Sequence, residues 1–348
     1  MKVLVTGHDG YIGTVLVPIF EAAGHEVHGL DSFLFHDCVF GEDRPGPRNS
    51  IAIDVRDLKA EQLAGFDAIV HLAGLSNDPL GNLDPQLTFD INHKASVRLA
   101  ELAKNSGVRR FVFSSSCSNY GAGGEDYLDE SSALHPVTPY GESKVLAEAD
   151  LEPLNSPEFC VTCLRNATAF GVSPRLRGDL VLNNLVGLAV STGQVLMKSD
   201  GSPWRPLVHI ADIAQAFLRV IEAPEDKVRG QAFNVGRSDE NYRIREIAEI
   251  VAEVVPNCRV EYEEGAGPDK RCYRVNCDKI REALPDFVPQ WTVRTGVEEV
   301  YAAFLKQGLS SMDFVRGPYL RIRHVQELME QGRIDASLRW CEGQGHAI

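Results

Sequence analysis

Short β-branched and apolar runs alternate along the chain with stretches whose apolar positions recur every three or four residues. The runs 2–6, 25–31, 68–73, 109–115, 160–165 and 231–235 have the length and composition of buried parallel strands. Helical periodicity lies between most of them, as in 95–105 and 144–154. This alternation predicts an α/β fold: a doubly wound parallel sheet whose ligands bind at the carboxyl ends of the strands. Gly7, Asp31, Ala73 and Ser116 fall at such ends. Pro18 sits inside the first helix and predicts a kink there. After about residue 166 the strand rhythm weakens, and 172–205 and 237–348 are richer in Arg, Pro and Gly. In the tail, 311–340, Leu320, Ile322, Val325, Leu328 and Met329 form an apolar stripe of helical spacing. That stripe is expected to pack on the body of the protein or on a partner subunit.

Composition narrows the classes. With 348 residues, 44% hydrophobic and 24% charged, the chain is an ordinary globular protein with room for a large core. The net charge of −14 argues against a nucleic-acid or anionic-membrane surface. No run reaches the roughly 18 apolar residues of a membrane span. Met1 leads straight into the first strand, so the expected location is cytoplasmic, with no cleavable signal. Cys160 and Cys163 form a C-x-x-C, but in a strand they point to opposite faces, and no second pair stands at zinc spacing. They are expected to be reduced core residues, and no metal site is expected.

Three segments carry candidate chemistry. Gly7, Gly10 and Gly13 follow the first strand at G-x-x-G-x-x-G spacing, which lets the backbone turn tightly and brings a helix N-terminus against a diphosphate. Asp31 ends the next strand, about 20 residues on, where a carboxylate accepts hydrogen bonds from both ribose hydroxyls of NAD and repels the phosphate of NADP. Arg44 and Arg48, in the loop beyond, leave the NADP alternative open. Tyr140 and Lys144 stand at i and i+4, on one helix face. A phenol with a pKa near 10 needs about 4 kcal/mol of differential interaction to ionise near neutrality. The lysine is expected to supply much of it, and a cationic cofactor ring the rest. Ser114, Ser115 and Ser116 end a buried strand ahead of this pair and offer hydroxyls to a substrate oxygen.

Taken together, Thr6-Gly-x-x-Gly-x-x-Gly13, Asp31, Asp54-Val-Arg-Asp57, His71-Leu-Ala-Gly74, Asn92, Ser114-Ser-Ser-x-x-x-Tyr-Gly121, Tyr140-x-x-x-Lys144 and Phe233-Asn-Val-Gly236 resemble the extended short-chain dehydrogenase/reductase family, in particular its nucleotide-sugar epimerases and dehydratases. The resemblance implies a Rossmann-type NAD-binding domain over 1–166 plus 206–236. It implies a smaller mixed α/β domain for a nucleotide-diphosphate sugar over 167–205 plus 237–348, with a helical C-terminal tail. It places NAD against Gly7, Asp9, Gly10, Tyr11, Ile12, Gly13, Asp31, Asp54, Val55, Leu72, Ala73, Gly74, Asn92, Ser114, Tyr140 and Lys144. Asp54 and Val55 would meet the adenine, and Leu72 to Gly74 the pyrophosphate and ribose. Ser116, Tyr140 and Lys144 would be catalytic. Ser76, Asn77, Ser116, Ser118, Asn119, Thr168, Arg175, Arg177, Arg205 and Arg271 would hold the nucleotide sugar, with Lys270 and Arg274 completing a basic patch. It also implies a homodimer built on helices near 93–105 and 140–154.

Departures from the family pattern narrow the reaction. Sugar 4,6-dehydratases of the family carry an Asp-Glu pair after the active-site hydroxyl residue, where this chain has Cys117 and Ser118. Its GDP-fucose synthase-like members carry a catalytic cysteine at the place of Ser118, so Cys117 is expected to pack beside the nicotinamide, an acid/base role being the alternative. Thr168 stands where the family has a substrate-binding Asn. The expected activity is epimerisation, at C4: Tyr140 removes a hydroxyl proton, hydride passes to NAD, and the keto-sugar turns and takes it back. The alternatives are a 4-ketoreductase, another dehydratase or decarboxylase on the same scaffold, and an inert dinucleotide-sensing protein.

Overall fold

The structure, a computed structural model, describes residues 1–42, 46–47, 49–197, 199–262, 271–310, 314–315 and 317–345. Arg44, Arg48 and Lys270 lie outside the described residues. Seven parallel strands form the central sheet: β1 (Lys2–Thr6), β2 (Glu26–Asp31), β3 (Asn49–Ala52), β4 (Ala68–His71), β5 (Arg110–Ser116), β6 (Cys160–Asn166) and β7 (Gln231–Val235). Their spatial order is 7-6-5-4-1-2-3. Six are the runs legible in the sequence. β3 is not, because this four-residue edge strand has Ile51 as its one large apolar side chain and buries none of its positions fully.

Alternation along the strands sorts side chains onto two faces. Val3, Val5, Val70 and Val112 pack under the helices Gly13–Ala22 and Ile210–Glu222. Leu4, Ile69, Phe111 and Phe113 pack under Ala95–Asn105 and Pro139–Leu151. Cys160 joins the first core and Cys163 the second, both as free thiols. The helix Gly13–Ala22 runs through Pro18. The helix read as 144–154 starts earlier, at Pro139. Thr138 caps it through Oγ1, which accepts from Gly141 N at 3.3 Å, and proline is suited to the first helical position. Tyr140 is therefore held in the first turn.

The stretch 206–236 divides. Gln231–Val235 belongs to the large sheet, and the helix Ile210–Glu222 packs on that sheet. Trp204–His209 pairs instead with Thr168–Phe170 and Asn241–Arg243 in a three-stranded sheet. A third core gathers around the helices Val181–Thr192, Ile244–Val254 and Val293–Gln307. In the tail the helix spans Arg321–Glu330 and buries Val325 and Leu328 against Leu34, Leu75, Leu80, Leu87 and Ile91. The apolar stripe thus packs on the body of the chain, on the loops that follow β2 and β4. No helix among the described residues is long and apolar enough to cross a membrane.

Candidate active site

One cavity of about 760 Å³ opens at the carboxyl ends of the strands. Gly7, Asp31, Leu72 to Gly74, Ser114 to Ser116 and Asn166 all line it. Each follows or ends a parallel strand, which is where a doubly wound sheet presents loop backbone to a ligand.

The first turn is tight. Gly7 adopts φ +74°, and a Cβ there would lie 2.7 Å from Ala73 N. A Cβ on Gly13 would lie 2.4 Å from Gly7 O. Only glycine lets the turn fold this closely, and it leaves the backbone of Tyr11, Ile12 and Gly13 on the cavity wall at the start of a helix. The Tyr11 hydroxyl itself points away, donating to Gly171 O at 2.8 Å. Asp31 accepts from Asp9 N at 3.0 Å and Phe33 N at 2.8 Å, and burial raises its pKa. Although burial acts to raise it, the Arg56 guanidinium holds Asp54 below the usual carboxylate range. Asp54 and Val55 line the same wall. A turn closed against Cβ atoms, helix N–H groups and a carboxylate beyond the second strand together fit a dinucleotide.

Behind the wall stands a braced layer. His71 Nδ1 meets Thr6 Oγ1 at 2.6 Å and Nε2 meets Ser96 Oγ at 2.8 Å. Ser96 Oγ donates to Asn92 O, so it accepts from Nε2–H, and Nδ1 accepts from Thr6. Burial, helped by Lys144, pushes the His71 pKa down to about 3, so the ring stays neutral. Asn92 does not reach the cavity. Its Oδ1 accepts from Leu75 N at 2.8 Å and its Nδ2 donates to Leu75 O at 2.9 Å, which pins the loop after β4 from behind.

Ser116, Tyr140 and Lys144 converge on the cavity. Their electrostatics differ from the expectation drawn from spacing. Burial pushes Tyr140 up to about 12, with Asp78 adding to the rise and the Ser116 hydroxyl and Arg177 opposing it. Lys144 is 5% exposed and burial brings it down to about 8. Its Nζ donates to Ser114 O at 2.8 Å and lies 4.5 Å from the Phe113 ring centroid. With Lys144 in place the phenol thus stays protonated near neutrality.

Beneath the serines lies a buried ion pair. Arg165 Nη2 meets Glu148 Oε2 at 2.7 Å, and Nε lies within 3.1 Å of both carboxylate oxygens. Glu148 Oε1 also accepts from Ser115 Oγ at 2.5 Å and Asn119 Nδ2 at 3.0 Å. Asn119 thus belongs to this network and not to the cavity wall, a correction to the sequence expectation. Cys117 likewise turns inward: its thiol donates to Arg165 O at 3.1 Å, and burial raises its pKa. It does not line the cavity.

At the far end Ser76, Asn77, Ser118, Thr168, Arg177, Arg205 and Arg271 line the cavity. Arg177 pairs with Asp179 at 2.9 Å and donates to Ser76 Oγ at 3.0 Å. Arg271 pairs with Asp78, which also accepts from Thr138 Oγ1 at 2.7 Å. The Arg205 guanidinium lies 5.5 Å from the Tyr273 ring centroid. Arg175 is elsewhere: it is buried, its Nη2 pairing with Asp9 Oδ1 at 2.8 Å under the glycine turn. Arg274 does not line the cavity either, and its Nη2 donates to Tyr127 Oη at 2.8 Å. Asp78 lies in the segment 75–79 that follows the cofactor loop and that the sequence offers either as sugar-pocket lining or as a turn, whereas Asp179 and Tyr273 were missed. The run Asn77-Asp-Pro79 carried a helix-start signal for Asp78, whose helix Asn77 caps through Leu80 N at 2.9 Å. No local pattern marked Asp179 or Tyr273.

Comparison with known proteins agrees with this geometry. The NAD dependent epimerase/dehydratase family model matches residues 3–236. UDP-glucose 4-epimerase of Corynebacterium glutamicum is 26% identical over 319 residues, 87% of this chain and 95% of that protein. The enzyme of the same name from Mycolicibacterium smegmatis is 29% identical over 317 residues, 87% of this chain and 98% of that one. Among solved structures, MoeE5 in complex with UDP-glucose and NAD superposes with a TM-score of 0.75 at 25% identity, covering 89% of this chain and 100% of that one. From the match over its first two thirds and the site built there, the chain belongs to the NAD dependent epimerase/dehydratase family, with NAD as its cofactor.

Proposed function

We propose that this protein is a nucleotide-sugar 4-epimerase. The observation that carries the reading is the convergence of Ser116, Tyr140 and Lys144 on one cavity with the dinucleotide wall, with Cys117 turned away and Ser118 in its place. NAD, when bound, supplies hydride acceptance and return. Tyr140 takes the proton from the sugar hydroxyl, and Ser116 shares that hydrogen bond. Lys144 keeps positive charge under the phenol. Arg205 and Arg271 are the guanidinium donors for the substrate diphosphate, with the bidentate geometry that phosphate favours. Cys117 and Ser118 stand where the family's 4,6-dehydratases carry the Asp-Glu pair that eliminates water, which disfavours that reaction. The relatives named UDP-glucose 4-epimerase support the same reaction and a uridine nucleotide.

The test incubates purified protein with UDP-glucose, UDP-galactose or dTDP-glucose, with no cofactor added. Interconversion of C4 epimers is the expected result. Stoichiometric consumption of NAD(P)H on a 4-keto sugar, with no interconversion, would reassign the protein to the ketoreductases. We further infer a homodimer through Ala95–Asn105 and Pro139–Leu151, on whose outer side Leu146 is exposed. Light scattering should give twice the 38.3 kDa chain mass; a monomer at micromolar concentration would refute it.

A further inference from the structure

The C-terminal helix carries an arginine that the chemistry above does not use. Arg321 is 2% exposed yet lines the cavity. Its Nη2 donates to Arg175 O at 2.7 Å, and its guanidinium lies 4.4 Å from the Phe35 ring centroid. Nη1 is buried and has no hydrogen-bond partner. No carboxylate among the described residues forms an ion pair with it. Its hydrogen bonds run to a carbonyl and to the Cys38 thiol, and the Asp179 carboxylate acts on it only without contact, so an anionic ligand in the cavity would offset the cost of burying the guanidinium.

Its neighbours say which ligand. Arg175, whose carbonyl Arg321 holds, pairs with Asp9 in the glycine turn, and Ser173 Oγ donates to Tyr11 O at 2.9 Å in the same turn. Phe35 lies in the loop beyond Asp31 and also lines the cavity. Arg321 is thus tied to both segments that frame the dinucleotide. The helix N-terminus at Gly13 offers a diphosphate only backbone donors and a partial charge. Arg175 is committed to Asp9.

The tail is anchored to the same wall. His324 Nε2 donates to Leu34 O at 3.0 Å, Arg56 Nη2 to Ser337 O at 2.9 Å, and Trp340 Nε1 to Ser32 O at 2.6 Å. Leu338 reaches the cavity in a left-handed conformation, φ +58°, which a leucine adopts only when its surroundings impose it. The family match ends at residue 236, so Arg321, His324, Ser337, Leu338 and Trp340 lie beyond the part of the chain it covers.

We propose that Arg321 donates through Nη1 to a phosphate oxygen of the NAD diphosphate, making the C-terminal segment a part of the cofactor site that retains the dinucleotide. The assignment rests on NAD as cofactor and holds whichever sugar is turned over. The test strips the full-length protein of nucleotide and titrates wild type and Arg321→Met with NAD, ADP and UDP by calorimetry. Methionine keeps an apolar stem and removes the charge. NAD and ADP should bind the variant about tenfold or more weakly, with UDP unchanged. Unchanged NAD and ADP affinity, or a loss for UDP and not ADP, overturns the proposal. Should the variant not fold, hydrogen exchange on the wild type decides: saturating ADP must protect 321–330, and no protection overturns it. These binding readouts stand even if the epimerase assay fails.

Discussion

Tyr140→Phe should lower turnover by about three orders of magnitude while NAD remains bound and the fold is unchanged, since proton transfer by a positioned group contributes about 10²–10⁴-fold. The variant deletes one oxygen from a buried ring and leaves the turn at Gly7 to Gly13 untouched. Burial holds the phenol at about 12 in the protein alone. Ionising it at pH 7 then takes about 7 kcal/mol of differential interaction. A unit charge at 4 Å supplies about 4 kcal/mol at an effective dielectric constant of 20. Because the phenol stands at about 12 with Lys144 already in place, the positive nicotinamide is the charge that must make up the difference. Lys144, brought down to about 8, is still mostly charged at pH 7. The ultraviolet titration difference between wild type and Tyr140→Phe should therefore move to lower pH when NAD is bound. A variant within tenfold of wild-type turnover, or a phenol that NAD does not shift while turnover at pH 7 continues, would sink this account.

Glu148→Ala should destabilise the fold by about 3–5 kcal/mol, because it strands the Arg165 guanidinium among groups that exclude water. The side chains of this pair are only 8% and 10% exposed. Chemical denaturation measures the loss, and a value under about 1 kcal/mol would mean that water reaches Arg165. Activity should fall as well, since Glu148 accepts from Ser115 Oγ and Asn119 Nδ2 and so fixes the end of β5 that carries Ser116. Substituting a residue that never touches the cavity would then disturb the chemistry inside it.

How legible this protein was depended on how far each feature reaches along the chain. The dinucleotide wall was readable because its causes are local. A glycine triplet after a strand is a backbone requirement, and a carboxylate at the next strand end is a matter of spacing. Tyr140 and Lys144 share a face by helix geometry. The residues misplaced from sequence were those whose partners lie far away. Arg175 looked like a phosphate ligand until its buried partner, Asp9, was seen. Asn92 braces Leu75 from behind, and Asn119 joins the pair of Glu148 and Arg165. Each is a buried polar group that must find a hydrogen-bond partner, and sequence does not say which one.

The amino-acid sequence by itself determined the alternating order of strands and helices, the glycine turn, and the placing of Ser116, Tyr140 and Lys144 at strand and helix ends. Hydrophobic period and backbone sterics act over a few residues and leave their mark in order. Only the tertiary structure decided the ionisation of Tyr140 and Lys144, the facing of Asp78 and Asp179 into the cavity, and the return of Arg321 and Leu338 to its wall. Those depend on desolvation and on charges brought together from distant parts of the chain, and both exist only once the chain has packed.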